Sequence, residues 1–82
     1  MTEALAGAPA KVLDLKGLLC PIPVVKLARA IKEIEVGQTI EAFATDPGVT
    51  ADIPAWARST GHELVVLEKQ NGQFRFVVRR KV

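Results

Sequence analysis

Apolar and polar residues alternate from Lys11 to Leu15, where Val12 and Asp14 are set against Leu13 and Leu15, the period-two pattern of a short strand that Lys16-Gly17 then breaks. Beyond this point the period changes. Val24, Leu27, Ala28, Ile31 and Ile34 recur every three or four residues, the apolar stripe of an amphipathic helix. Val36-Gly37 closes the stripe, and Gln38 to Thr45 alternates again, with Ile40, Ala42 and Ala44 on one side and Glu41, Phe43 and Thr45 on the other. Asp46-Pro47-Gly48 is turn chemistry. A second helix is predicted between Val49 and Thr60, stopped by Gly61. Pro54 would cost the interior of that helix a hydrogen bond, which argues for a new start with Asp52 as N-cap, Pro54 in the first turn, and Ile53, Trp56 and Ala57 on the buried face. Glu63 to Lys69 reads as a strand, Asn71-Gly72 as a hairpin turn and Phe74 to Arg80 as the return strand. In that last strand Phe74, Phe76 and Val78 share one face, and Arg75, Val77 and Arg79 the other.

The element order is therefore β-α-β-α-β-β without an internal repeat. A strand-helix-strand crossover joins parallel neighbours with a right-handed turn, whereas the closing hairpin is antiparallel, so the four-stranded sheet is mixed. Two helices on one face of it give an α+β fold, a two-layer α/β sandwich.

Eighty-two residues make one domain, expected over residues 11–82 behind a flexible arm of small residues over 1–10. A chain of this size buries only ~60% of its unfolded surface, but 49% apolar residues suffice for a core. The arm has no basic cluster ahead of an apolar run, as a signal peptide would, and no segment nears the ~20 apolar residues of a membrane span. A cytoplasmic protein without a membrane partner is the expectation. A net charge of +2 is too small to argue for nucleic acid by itself.

The single cysteine, Cys20, excludes an intramolecular disulfide, a Cys-x-x-Cys redox pair and a multi-cysteine zinc site. It opens Cys20-Pro21-Ile22-Pro23, at the junction between the first strand and the first helix. Proline is tolerated there because N–H groups in a helix's first turn have no intrahelical partner. With Cys20 as N-cap, Pro23 removes one of the two usual capping amides and leaves that of Ile22, with Val24 behind it. Alternatively Ile22 is the N-cap, since a residue before proline avoids the α region. The helix dipole favours thiolate in the first arrangement, and a drop in pKa from ~8.5 to ~7.5 needs only ~1.4 kcal/mol. A reactive, partly ionised thiol is the expectation, against the ordinary fate of a lone cysteine as an inert packed side chain.

Other candidates carry weaker signals. His62 suits a strand-start residue at the opposite end of the second crossover better than a base for Cys20 or a metal ligand, and no metal site or cofactor is expected. Lys26, Arg29 and Lys32 form a stripe on the first helix, either a solvated face or a docking surface for an acidic partner or RNA. Asp46 reads most simply as a turn residue and joins them as a docking candidate. Arg79-Arg80-Lys81 suits a charged edge that discourages strand pairing. Trp56, Phe74 and Phe76 suit a core better than a base-stacking platform.

With Leu13-Asp14 and Gly17-Leu18 before Cys20-Pro21-Ile22-Pro23, and Asp46-Pro47 and Gly61-His62-Glu63-Leu64 after it, the chain resembles the TusA (SirA-like) sulfur-carrier family from Val12 to Arg80. The resemblance implies a sulfurtransferase-type carrier rather than a stand-alone multi-turnover enzyme. Cys20 would take sulfane sulfur as a persulfide from a cysteine desulfurase or rhodanese-like donor and hand it to a downstream acceptor protein, with Pro21, Ile22 and Pro23 as the supporting motif. In that family the relay commonly ends at 2-thiouridine in tRNA, and some members serve molybdenum-cofactor synthesis or sulfur oxidation. Many tRNA-relay members have an acidic residue between the prolines and a basic one before the cysteine, where this chain has Ile22 and Leu19, so donor, acceptor and pathway stay open. The carrier is expected to be a monomer when free and to make no direct contact with nucleic acid.

The chemistry of the residues agrees. Sulfur transfer between cysteines needs an exposed, partly ionised cysteine that a partner can approach closely, and no second cysteine nearby to discharge the persulfide as a disulfide. Two other readings are a small RNA-binding module, motivated by the basic helix stripe with Arg75, Arg79 and Arg80, and a regulatory interaction module in which Cys20 only packs. The first lacks tyrosines and a glycine-rich clamp. Slow alkylation of Cys20 would favour the second.

Overall fold

The computed structural model of the chain describes residues 8–82, so most of the expected arm over 1–10 lies outside the described residues. Six elements follow in the expected order: β1 (Lys11–Leu15), α1 (Ile22–Ile31), β2 (Thr39–Ala44), α2 (Val49–Thr60), β3 (Glu63–Gln70) and β4 (Gln73–Arg79). The strands form one mixed sheet in the order β1-β2-β4-β3. β1 and β2 are parallel, with Leu13 beside Ala42 and Leu15 beside Ala44, and β4 runs antiparallel to both β2 and β3. The helices cover one face, where Leu27, Ile31, Ile40, Ala42, Val49, Ile53, Phe76 and Val78 make the core.

Small residues on β2 bring the layers together. Ala42 and Ala44 are fully buried, which lets Leu27 of α1 and Ile53 of α2 sit close to the sheet, themselves without solvent exposure. On the opposite face Arg75 bridges strands: its Nε donates to Glu41 Oε2 at 2.6 Å and its Nη1 to Glu68 Oε2 at 2.9 Å. The Asn71-Gly72 turn has φ of 50° and 80°, the paired left-handed conformation that suits the twist of a two-residue hairpin.

Two expectations give way, and a third holds in part. Ile34 is buried as the stripe requires, but α1 ends at Ile31, and Ile34 packs from the turn beyond it. Asp52 does not start a helix. α2 begins at Val49 with Gly48 as N-cap, and Pro54 lies inside it. The amide that Pro54 lacks would have met the carbonyl of Thr50, an exposed residue whose carbonyl water can reach, so the interior proline is tolerated. Trp56 is only partly buried: α2 turns Ile53 and Ala57 to the sheet, and Trp56 packs against the core from the side.

Candidate functional site at Cys20

Parallel pairing of β1 and β2 puts the carboxyl ends of both strands side by side, where ligands and reactive groups gather in α/β sheets. The loop after β1 carries Cys20 and the loop after β2 carries Asp46 and Gly48. Two hydrogen bonds tie the loops together: Gly17 N–H donates to Thr45 Oγ1 at 2.9 Å, and Cys20 N–H donates to Asp46 Oδ2 at 2.7 Å. Asp46 Oδ1 accepts from Gly48 N–H at 3.2 Å. These two amides, that of Cys20 foremost, hold the Asp46 carboxyl below its usual range.

Neither cap arrangement expected for α1 is adopted. Pro21 is the N-cap, joined to Cys20 by a cis peptide bond, and its carbonyl accepts from Val25 N–H at 3.1 Å. Pro23, buried, occupies the first turn. The Ile22 amide, expected to reach the sulfur, donates to the Leu19 carbonyl at 2.9 Å instead. No side chain caps α1.

The sulfur meets the other helix. A Cβ placed on Gly48 would lie 3.1 Å from Cys20 Sγ and 3.5 Å from Asp46 Oδ2, so the missing side chain is what lets the thiol sit at the start of α2. One turn in, the Asp52 amide donates to the Gly48 carbonyl, and its carboxylate, like that of Asp46, lies close enough to the thiol to disfavour its ionisation. Desolvation first, then Asp52 and Asp46, push the Cys20 thiol up to about 12. The positive end of α2 favours thiolate, but two carboxylates at the same place outweigh it. These surroundings run against the partly ionised thiol expected from α1 alone and favour the protonated form.

The surroundings remain open. Cys20 is a free, partly exposed thiol flanked by Leu19, 72% exposed, and Ile22, 43% exposed. Lys26 and Arg29 are exposed further along α1, and Lys32 lies ten residues from Ile22, about 15 Å down the helix. Asp46, a docking candidate from sequence, is half-buried, with its carboxylate committed to the Cys20 and Gly48 amides. His62 is at the far end, where its Nδ1 accepts from Lys81 N–H at 3.2 Å. Among the described residues no cluster of His, Cys, Asp and Glu could hold a metal, and no helix is long and apolar enough to cross a membrane. Gly48 and Asp52 escaped the sequence reading as site residues. The signal was there in the predicted parallel crossover, since parallel neighbours bring their two following loops together.

A small mixed sheet with two helices on one face, and one free thiol at the carboxyl edge of its parallel pair, makes an α+β domain. The family model described as Sulfurtransferase TusA matches residues 11–80. The chain is 41% identical over 70 residues to YrkI of Bacillus subtilis, covering 85% of this chain and 93% of that one. It is 46% identical over 69 residues to YrkF of the same organism, but these span only 37% of that longer protein. The sulfur carrier protein TusA of Allochromatium vinosum is 35% identical over 68 residues, 83% of this chain and 90% of that one. Among solved structures, the SirA-like protein from Desulfitobacterium hafniense matches with a TM-score of 0.76 at 25% identity, over 88% of this chain and 99% of that one. The chain belongs to the TusA sulfurtransferase family.

Proposed function

We propose that this protein is a cytoplasmic sulfur carrier that accepts sulfane sulfur on Cys20 from a cysteine desulfurase or rhodanese-type donor and passes it to an acceptor protein, tRNA 2-thiouridine formation being one endpoint. The observation that carries the reading is the free, approachable thiol at the carboxyl edge of β1 and β2 in a fold of this family.

The transfer balances without an outside oxidant. Cys20 sulfur attacks the outer sulfur of the donor's persulfide, the donor's S–S bond breaks, and the donor cysteine leaves with the electron pair. The proton of the Cys20 thiol ends on that leaving thiolate. Hand-over to the acceptor repeats the exchange in the other direction. The exposed apolar pair Leu19 and Ile22 and the cations Lys26 and Arg29 give the partner its contact surface beside the sulfur.

Incubation with a cysteine desulfurase and cysteine, followed by intact mass, tests the proposal. A single-sulfur adduct on the wild type and none on Cys20→Ser is expected; no adduct with any of several desulfurase and rhodanese donors would refute it. The RNA-binding reading loses two of its six cations, because Arg75 is held by Glu41 and Glu68 and Arg79 by Glu63. Slow alkylation no longer separates a carrier from a regulatory module, since a protonated Cys20 reacts slowly in either case. The mass adduct does.

A further inference from the structure

His62, which sulfur transfer at Cys20 leaves without a role, sits where α2 gives way to β3, at the end of the fold away from Cys20. Its own N–H donates to the Ala57 carbonyl at 3.0 Å, which fixes the residue to the end of α2. Its ring reaches two neighbours. Nδ1 accepts the Lys81 N–H at 3.2 Å, and the ring centroid stands 5.4 Å from that of Trp56 at a tilt of 34°.

The backbone on the far side of that bond is held unevenly. Arg80 is fastened to β2 and the turn before it: its N–H donates to the Gln38 carbonyl at 2.9 Å, its carbonyl accepts from Gly37 N–H at 2.7 Å, and its Nη1 donates to the Ile34 carbonyl. Lys81 and Val82 lie beyond β4 and are exposed. The Lys81 amide has no hydrogen-bond partner but His62 among the described residues, and Val82 is reached through its carbonyl by Arg80 Nε at 2.8 Å.

The bond to Lys81 has a condition. Nδ1 accepts only while it carries no proton, so the neutral ring, protonated on Nε2, is the form that holds Lys81. A second proton makes Nδ1 a donor facing a donor. The imidazolium keeps its other neighbour, since a cation within about 6 Å of an indole is attracted to the ring. Other charges oppose protonation. Arg80 and Lys81 stand beside His62 at the end of β4, and Lys32 lines the same cleft from the end of α1. Glu63, next on β3, is engaged by Arg79 at 3.1 Å and by Lys81 at 3.9 Å, and α2 faces the ring with Trp56 and Thr60, which carry no charge. Burial foremost, then Arg80, hold His62 below its usual range, and the ring is neutral at pH 7.

We propose that His62 is a pH-operated latch on the segment after β4: the neutral ring fastens Lys81 and Val82 against the end of α2, and the protonated ring keeps Trp56 and releases Lys81. Arg80, tied to Gln38, Gly37 and Ile34, stays in place as the pivot. Val82 lines the cleft between the C-terminal ends of α1 and α2, so its departure widens that cleft in mild acid. The device is remote from Cys20 and independent of sulfur transfer there.

Two-dimensional ¹H–¹⁵N NMR of the full chain between pH 7.5 and pH 5 tests the latch, with one imidazole and one indole N–H to follow. The Lys81 and Val82 amides and the Trp56 indole should move on the His62 ring's own curve, with a midpoint below ~6.5. Protection of the Lys81 amide from hydrogen exchange, corrected for intrinsic rate, should fall about fivefold, the loss of one ordinary hydrogen bond. His62→Asn puts a non-titrating acceptor where Nδ1 was and should keep Lys81 protected throughout, whereas His62→Ala should show the released signals already at pH 7.5. The wild type alone suffices to overturn the proposal if Lys81 stays still while the ring titrates. A midpoint near ~4.3 would place the effect on Glu63 and its ion pairs, and an asparagine variant that responds like the wild type would remove His62 from it; either result also overturns the latch.

Discussion

Cys20 and Asp52 are 32 positions apart in sequence and share one proton's worth of chemistry. Removing the Asp52 charge takes away a repulsion that favours thiol over thiolate. Asp52→Asn should therefore alkylate with iodoacetamide several-fold faster at pH 8, its pH–rate midpoint moved down from about 12. An unchanged midpoint with a lower melting temperature would show that Asp52 only supports the turn. The same perturbation is linked to stability, and its sign is fixed. The folded pKa of Cys20 lies above the unfolded value of ~8.5, so its contribution is complete below that pH and is lost as pH rises toward 12. The urea midpoint of the wild type should fall relative to that of Cys20→Ser between about pH 8 and pH 10.5. Asp46 behaves in the opposite sense, because its folded pKa is depressed. Its contribution is present above ~3.9 and disappears on acidification through the folded value, so the deficit of Asp46→Asn relative to wild type at pH 7 should close in acid.

At the scale of elements, the site is made by the start of α2 as much as by the motif that opens α1. Gly48 has an ordinary φ of −58°, so alanine suits the backbone there, and the consequence of Gly48→Ala falls on the sulfur 3.1 Å from the new methyl. Melting temperature should change little, with an effect within about 1 kcal/mol, while persulfide loading slows because the added outer sulfur needs the same space. Equal loading rates would mean that the sulfur swings clear of α2. This is also where sequence reasoning thinned out. β1 was legible to the residue and the span of α2 was found, because period and the Gly61 stop are local signals. Pro54 misled for a local reason as well: a proline looks like a helix start until the exposed turn that absorbs the missing bond is seen. The proximity of Cys20 to Asp46, Gly48 and Asp52 has no local signal. It comes from strand pairing, and with it the thiol's surroundings run against the expectation drawn from α1 alone.

For the whole molecule, the protection of Cys20 depends on a core that touches it only through the sheet. Phe76, fully buried on β4, pairs with Ala42 on β2 and Leu67 on β3, and so joins the parallel pair to the hairpin. A domain of this size has about 4–12 kcal/mol of stability, and Phe76→Ala should remove about 3–5 kcal/mol of it. The unfolded population then rises by roughly two to four orders of magnitude. In the unfolded chain the thiol returns to ~8.5 and loses both carboxylates, so each unfolded molecule reacts ~10³ times faster at pH 8 than a folded one whose thiol is near 12. For a wild type of about 6–7 kcal/mol, unfolding becomes the faster route to alkylation in the variant, while direct attack on the folded protein still governs the wild type. In low urea the alkylation rate of Phe76→Ala should climb with the full denaturant slope of global unfolding, and that of the wild type should stay nearly flat. A flat response in both would place the protection of Cys20 in the local loops, held by Asp46 and the α2 turn independently of the core.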